Sequence, residues 1–109
     1  MFHMLTCFNL EPPATVEEFS SKLIEFSAHM RGPGLIETTG PIGRRQRHPI
    51  MDTDDERDHE YFFIMSFADR EQCDKAVEQM QSKKEPGNSI HTAVYSSICD
   101  AVFICWEDI

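Results

Sequence analysis

The chain contains no C-x-x-C element, no phosphate-binding glycine loop, no dinucleotide fingerprint and no nucleophile elbow. Each absence removes a chemistry: a zinc knuckle, nucleotide binding by a P-loop or Rossmann turn, and serine acyl transfer. Glycine is scarce, and the five at positions 32, 34, 40, 43 and 87 read as turn punctuation. Positive charge is short as well. Ten Lys and Arg stand against nineteen Asp and Glu, a net charge of −9. Nucleic acids and anionic membranes need a concentrated positive surface, so neither is an expected partner. No apolar run suits a bilayer span, since Phe2–Leu10 is too short and too interrupted. Cys7, Cys73, Cys99 and Cys105 fall in expected strands or on apolar helix positions, with no disulfide framework and no secretory leader before the first strand. A reducing cytoplasm is the expected location, with Cys7, Cys73 and Cys105 buried and unactivated. The 109 residues are enough for one domain, 1–109, and 40% hydrophobic content lets it fold without metal or disulfide.

Two strand-then-helix units are present. The first pairs a strand at Phe2–Leu10 with a helix over 15–30, where Val16, Phe19, Leu23, Phe26 and Met30 recur at steps of three and four. Thr15 with Glu18 forms a capping-box pattern at its start, and Gly32 with Pro33 stops it. The second pairs a strand at Tyr61–Phe67 with a helix over 69–80, capped by Asp69 and Gln72, with Cys73, Ala76, Val77 and Met80 as its buried stripe. A strand over 35–48 lies between the units and another over 101–106 closes the chain. A short helix starting at Asn88 or Ser89 precedes it, with Ile90, Val94 and Ile98 on one side. The order is β-α-β-β-α-β, an α+β ferredoxin-like arrangement with a four-stranded antiparallel sheet in order 4-1-3-2.

Three of these strands are apolar on both parities. Tyr61, Phe63, Met65 and Phe67 oppose Phe62 and Ile64; Phe2, Met4 and Phe8 oppose Leu5 and Cys7; Val102, Ile104 and Trp106 oppose Phe103 and Cys105. A sheet covered on one face shows a clean apolar and polar alternation, and these strands do not. Right-handed crossovers put both long helices on one side, so the other face needs another cover. The economical cover is a second copy: a homodimer joined through its sheet faces, burying Phe63, Met65 and Val102. The polar end of the 35–48 strand, with Arg44, Arg45, Gln46, Arg47 and His48, marks an edge.

The segment 51–59 (MDTDDERDH) lacks the Gly at the sixth and Glu at the twelfth place of a calcium loop; Arg57 and Phe63 stand there. It reads as a mobile, solvated connection whose acids pair loosely with Arg44, Arg45 and Arg47. The cysteine spacings do not make a zinc site, and His48 with His59 lacks a third ligand, so no metal and no cofactor are expected. Residues 60–67 (EYFFIMSF) are similar to the base-stacking strand of RNA-recognition domains, but lack its basic-glycine opening, and the net charge opposes it.

The element order, the opening strand FHMLTCFNL with His3 near its start, and IHTAVYSSICDAVFICWE from Ile90 onward resemble the dimeric α/β-barrel superfamily. The nearest likeness is to stress-responsive A/B-barrel domains and antibiotic-biosynthesis-type monooxygenases. That resemblance implies a ligand pocket between sheet and helices, with His3 and His91 lining it and Tyr95 beside them as the catalytic set. It also implies a small-molecule enzyme, a cofactor-independent oxygenase, cyclase or isomerase acting on an aromatic or polyketide-like compound. Histidine suits proton abstraction near neutral pH. Asn9 shares the parity of His3, and with Arg44 and Arg45 it is a candidate ligand-binding residue; the arginines would meet a substrate carboxylate. The chain departs from the pattern in its long Arg-rich and acidic hairpin and in lacking a second histidine just before His91. The alternative is a non-enzymatic ligand-binding or stress-related regulatory dimer.

Overall fold

A computed structural model describes residues 1–109. Its elements are β1 (Phe2–Leu10), α1 (Val16–Arg31), β2 (Thr38–Thr39), β3 (Gly43–Arg44), β4 (Tyr61–Phe67), α2 (Arg70–Gln81), α3 (Gly87–Tyr95) and β5 (Ile98–Glu107). The antiparallel sheet runs β2-β4-β1-β5, with β3 also on β4. This keeps the expected neighbours and puts the apolar β1 and β4 at the centre. The strand expected over 35–48 is instead two short pieces. Gly40 takes a positive φ of 82°, and Pro41 has no N–H to offer the ladder, so pairing breaks between Thr39 and Gly43. The closing strand begins earlier than expected, and Ile98 belongs to it rather than to the short helix.

Both long helices open on the caps that the sequence suggests. Thr15 Oγ1 accepts the Glu18 N–H at 3.2 Å, and Asp69 Oδ1 accepts the Gln72 N–H at 2.8 Å, each satisfying a donor that the first helical turn leaves free. The Gln72 side chain bonds the Ala68 N–H at 2.6 Å and the Gly34 carbonyl at 2.9 Å, tying the start of α2 to the end of the α1 loop. In α1 the stripe buries Phe19, Leu23, Phe26 and Met30. In α2 only Ala76 is fully buried, and Val77, expected inside, is exposed.

Strand alternation sorts the sheet residues. Phe2, Met4, Thr6 and Phe8 of β1 lie opposite Phe67, Met65, Phe63 and Tyr61 of β4. These form the floor of the core under the helices, where Phe19 packs 4.8 Å from Phe8 and 6.0 Å from Phe63 between ring centres. Phe63 and Met65 are therefore sheathed by their own helices, not by a second copy. The residues left on the outer face are His3, Leu5, Cys7, Phe62, Ile64, Ser66, Val102, Ile104 and Trp106.

Part of that outer face is covered by the chain itself. Residues 45–59, expected to be a mobile solvated loop, fold back as a strap. Arg45 is its centre, with a side chain only 10% exposed. Its guanidinium reaches both carboxylate oxygens of Asp52, at 2.8 and 2.6 Å, together with the Asp54 carbonyl at 2.6 Å and the Arg57 carbonyl. Arg57 in turn bonds the Asp54 carboxylate at 2.9 Å. At the far end, His59 Nε2 donates to the Asp100 carbonyl at 2.6 Å, and Asn9 Oδ1 accepts the Glu60 N–H at 2.9 Å. Under this strap Cys7 is 2% exposed and its thiol pKa is pushed up, chiefly by burial. A planar fork that collects so many acceptors is why an arginine, and not a lysine, holds the strap.

Phe19→Ala is expected to cost about 3–5 kcal/mol of folding stability in urea titration, because it empties the centre of the core; a change under about 1 kcal/mol would contradict the packing described. The strap has its own pH signature. Hydrogen bonds from Arg45 hold the Asp52 carboxyl below the usual carboxylate range. A carboxyl lowered in the folded state stabilises fully above its unfolded value, and loses that contribution as pH falls through the lowered one. Backbone amide resonances of residues 52–58 should thus shift together in acid before the core unfolds, and in Asp52→Asn they should start displaced at neutral pH.

Candidate functional site

The alternation that divides the sheet also divides the residues singled out from the sequence. His3 lies on the outer face. Its Nδ1 is 2.7 Å from Ser66 Oγ, its Nε2 is 2.9 Å from the Asp108 carboxylate, and its ring packs at a tilt of 30° against Trp106 with centres 5.0 Å apart. The Asp108 carboxyl is held below the usual range, first by the hydrogen bond from His3. His91 and Tyr95 are on α3, on the helix side. Their rings are 4.7 Å apart, Phe26 is 5.9 Å from His91, and Phe103 is 6.2 Å from Tyr95. His3 and His91 therefore stand on opposite sides of the sheet and do not share a pocket, because residue 3 alternates away from the helices while α3 packs over them.

Burial sets the chemistry of the α3 pair. It lowers the His91 pKa and raises that of Tyr95 to about 12, so both side chains are neutral at physiological pH. Neither His3 nor the α3 pair lines any of the principal cavities. Cys105, expected to be buried, is exposed on the edge strand β5, whereas Cys73 is half-buried with its thiol pKa raised by desolvation.

The polar candidates separate in the same way. Both ends of the Asn9 amide are engaged within the fold, Oδ1 by Glu60 and Nδ2 by Asp100 at 3.3 Å. Arg44 pairs with Tyr61 across β3 and β4, so it faces the helix side. Its guanidinium lies 5.5 Å from the Tyr61 ring centre, donates to the Tyr61 hydroxyl at 3.3 Å and stands 3.6 Å from Glu60. It lines a cleft of about 610 Å³ between the start of α1 and the β2–β3 segment, with Val16, Glu17, Ser20, Ile42 and Tyr61. Arg45, one residue on, points to the outer face and is consumed by the strap. It borders a second cavity, of about 590 Å³, between the strap and the sheet.

Several participants had no sequence signal. Asp108 and Ser66 hold His3, and the Asp54 and Arg57 carbonyls join Asp52 on Arg45. His59 is buried with Nδ1 unpartnered, and Thr6 places a buried hydroxyl without a partner in the core floor. The arrangement offers the Arg44 cleft, a smaller cleft of about 410 Å³ beside it with Arg31 in its lining, the strap-roofed cavity, and a desolvated His–Tyr pair packed against aromatic rings.

No protein-family model matches the chain, and no curated protein does. Known structures share its shape. An Arabidopsis thaliana protein superposes with a TM-score of 0.72 at 7% identity, over 100% of this chain and 96% of that one. An antibiotic biosynthesis monooxygenase gives 0.61 at 14%, over 100% and 99%. A dimeric ferredoxin-like protein of unknown function from Jannaschia sp. CCS1 gives 0.59 at 12%, over 98% of each chain. At such identities the likeness speaks for the fold, and the fold of this chain is the ferredoxin-like one that these proteins share.

Proposed function

We propose that this protein is a homodimer that binds a small acidic molecule in the cleft beside Arg44, with binding rather than turnover as its role. The observation that carries this is the cleft itself. Its volume lies within the range of small-molecule sites, about 300–1,000 Å³, and its walls are largely preformed by α1 and the sheet edge. Arg44 is oriented there by the Tyr61 ring and hydroxyl, with its remaining donors directed to solvent and to Glu60. A guanidinium already braced by an aromatic face loses less freedom when a carboxylate docks. Arg45 cannot share this task, since its donors are spent on the strap.

The dimer reading rests on β5 and the open end of the outer face. β5 is an edge strand ten residues long, and Phe103, Ile104 and Trp106 on it are 49%, 39% and 40% exposed, with Ile64 close to them in exposure. An exposed edge that is apolar on both sides invites pairing, and a second copy offers a closed way to satisfy it. The Jannaschia neighbour being dimeric supports this reading. No helix here is long and apolar enough to cross a membrane, which agrees with a protein that meets its partner in water.

A catalytic reading has one observation in its favour: His91, kept neutral by burial, sits beside Tyr95 on the helix side. An imidazole in that state is a competent base for an aromatic or polyketide-like substrate, as an oxygenase, cyclase or isomerase would require. The ring is packed against Phe26 and Tyr95 and does not line a principal cavity, which favours binding over catalysis.

Arg44→Ala should weaken binding of 2-naphthoate, a probe with one carboxylate on an apolar ring, by about ten-fold or more in calorimetry, the scale of one charged hydrogen bond. Equal affinity in the variant would remove the cleft from the proposal. Sedimentation should give a particle of twice 12.6 kDa, and Ile104→Asp should shift it to monomer; a wild-type monomer at high micromolar concentration rules the dimer out.

A further inference from the structure

The strap cavity lies on the opposite side of the sheet from the Arg44 cleft, and its lining has a different character. Leu5, Cys7, Phe62 and Ile104 make an apolar floor, and Met51 adds to the roof. The roof's charges are already paired, Arg45 with Asp52 and Arg57 with Asp54, so the cavity offers no free charge to an ion. One donor remains. His48 also lines the cavity, and its Nδ1 accepts the Ile50 and Met51 N–H groups at 3.1 and 3.0 Å. A neutral imidazole whose Nδ1 accepts carries its proton on Nε2, which has no partner within the chain. The floor is also continuous with the open apolar face: Ile104 lines the cavity and is 39% exposed beside Trp106. Anything that covers that face closes the cavity.

We propose that the strap cavity is a second ligand site, for a neutral, largely apolar molecule with one hydrogen-bond acceptor, and that a second copy of the chain supplies its missing wall. The inference rests on the dimer reading above. The apolar body of the ligand lies on Leu5, Phe62 and Ile104, and its acceptor meets the His48 Nε2–H. Because the site is complete only between two copies, ligand and dimer stabilise each other by linkage. A charged ligand is disfavoured, since it would have to break the Arg45–Asp52 pair or enter desolvated.

The probe is 2-naphthol, which is neutral at pH 7 and carries one hydroxyl oxygen on an apolar ring. Measured by sedimentation equilibrium, the dimer should tighten by about ten-fold or more when the probe is at about ten times its own dissociation constant. Amide shifts in nitrogen-15 spectra should fall on Leu5, Phe62, Ile104 and Met51. His48→Asn keeps an acceptor for the turn but removes the donor; it should dimerise as before without probe and show a clearly weaker response to it. A dimer whose strength ignores 2-naphthol, or shifts confined to the Arg44 cleft around Val16 and Tyr61, overturns this site while leaving the dimer standing. A chain that stays monomeric with and without probe overturns both.

Discussion

One sheet with two apolar faces is the constraint on which the rest of this structure depends. The helix-side face is settled within the chain: α1 lays Phe19, Leu23, Phe26 and Met30 over Phe8, Tyr61, Phe63 and Met65. The outer face has no helices to use, because both crossovers place them on the same side. The chain answers half of that need with the strap, which hides Cys7 beneath Arg45 and its acceptors. The other half, around Ile64, Ile104 and Trp106, stays open. The strap itself stays largely exposed, and one buried guanidinium holds it by taking two of its backbone carbonyls and the Asp52 carboxylate.

Two adjacent arginines show how a period of two distributes function. Arg44 follows Tyr61 to the helix side and stands over a cleft as a cation with donors to spare. Arg45 turns to the outer face, where Asp52 and two carbonyls use it up. The same alternation separates His3 from His91. His3 becomes a brace between Ser66 on β4 and Asp108 after β5, whereas His91 is held in an aromatic cluster with Tyr95. The Arg44 cleft and the strap cavity therefore lie on opposite faces, one with a cation at its side and one whose charges are paired with each other.

Much of the fold was legible before the structure. The bounds of β1 and β4, the capping of α1 and α2, the apolar stripe of α1 and the neighbour order of the sheet all follow from local periodicity and short-range hydrogen bonding. The places where the structure departs from local pattern share a cause. The 35–48 strand breaks at Gly40 and Pro41 because strand length depends on a partner's ladder as much as on residue type. The pairing of the 51–59 acids with Arg45 and Arg47 follows from their charges, but that Arg45 is buried by it and holds the segment against the sheet depends on folding. The apolar pattern puts Val77 and Cys105 inside, yet α2 covers less of the sheet than a full stripe demands and β5 lies at an edge. The family resemblance implies one pocket holding His3 and His91, but likeness in element order carries no information about which face each side chain takes in this chain.

The amino-acid sequence by itself determined the ferredoxin-like order of elements, the two-faced apolar character of the central strands and the acidic surface, since these depend on composition and on periods of two and 3.6. Only the tertiary structure decided which apolar parity met the helices, which arginine lined the helix-side cleft and which held the strap, and that the acidic hairpin folded back along the sheet. Those outcomes depend on contacts between residues dozens of positions apart, such as His59 with Asp100 and His3 with Asp108. Such contacts form because folding brings acceptors and donors together in a space from which water is excluded, and no local pattern encodes that proximity.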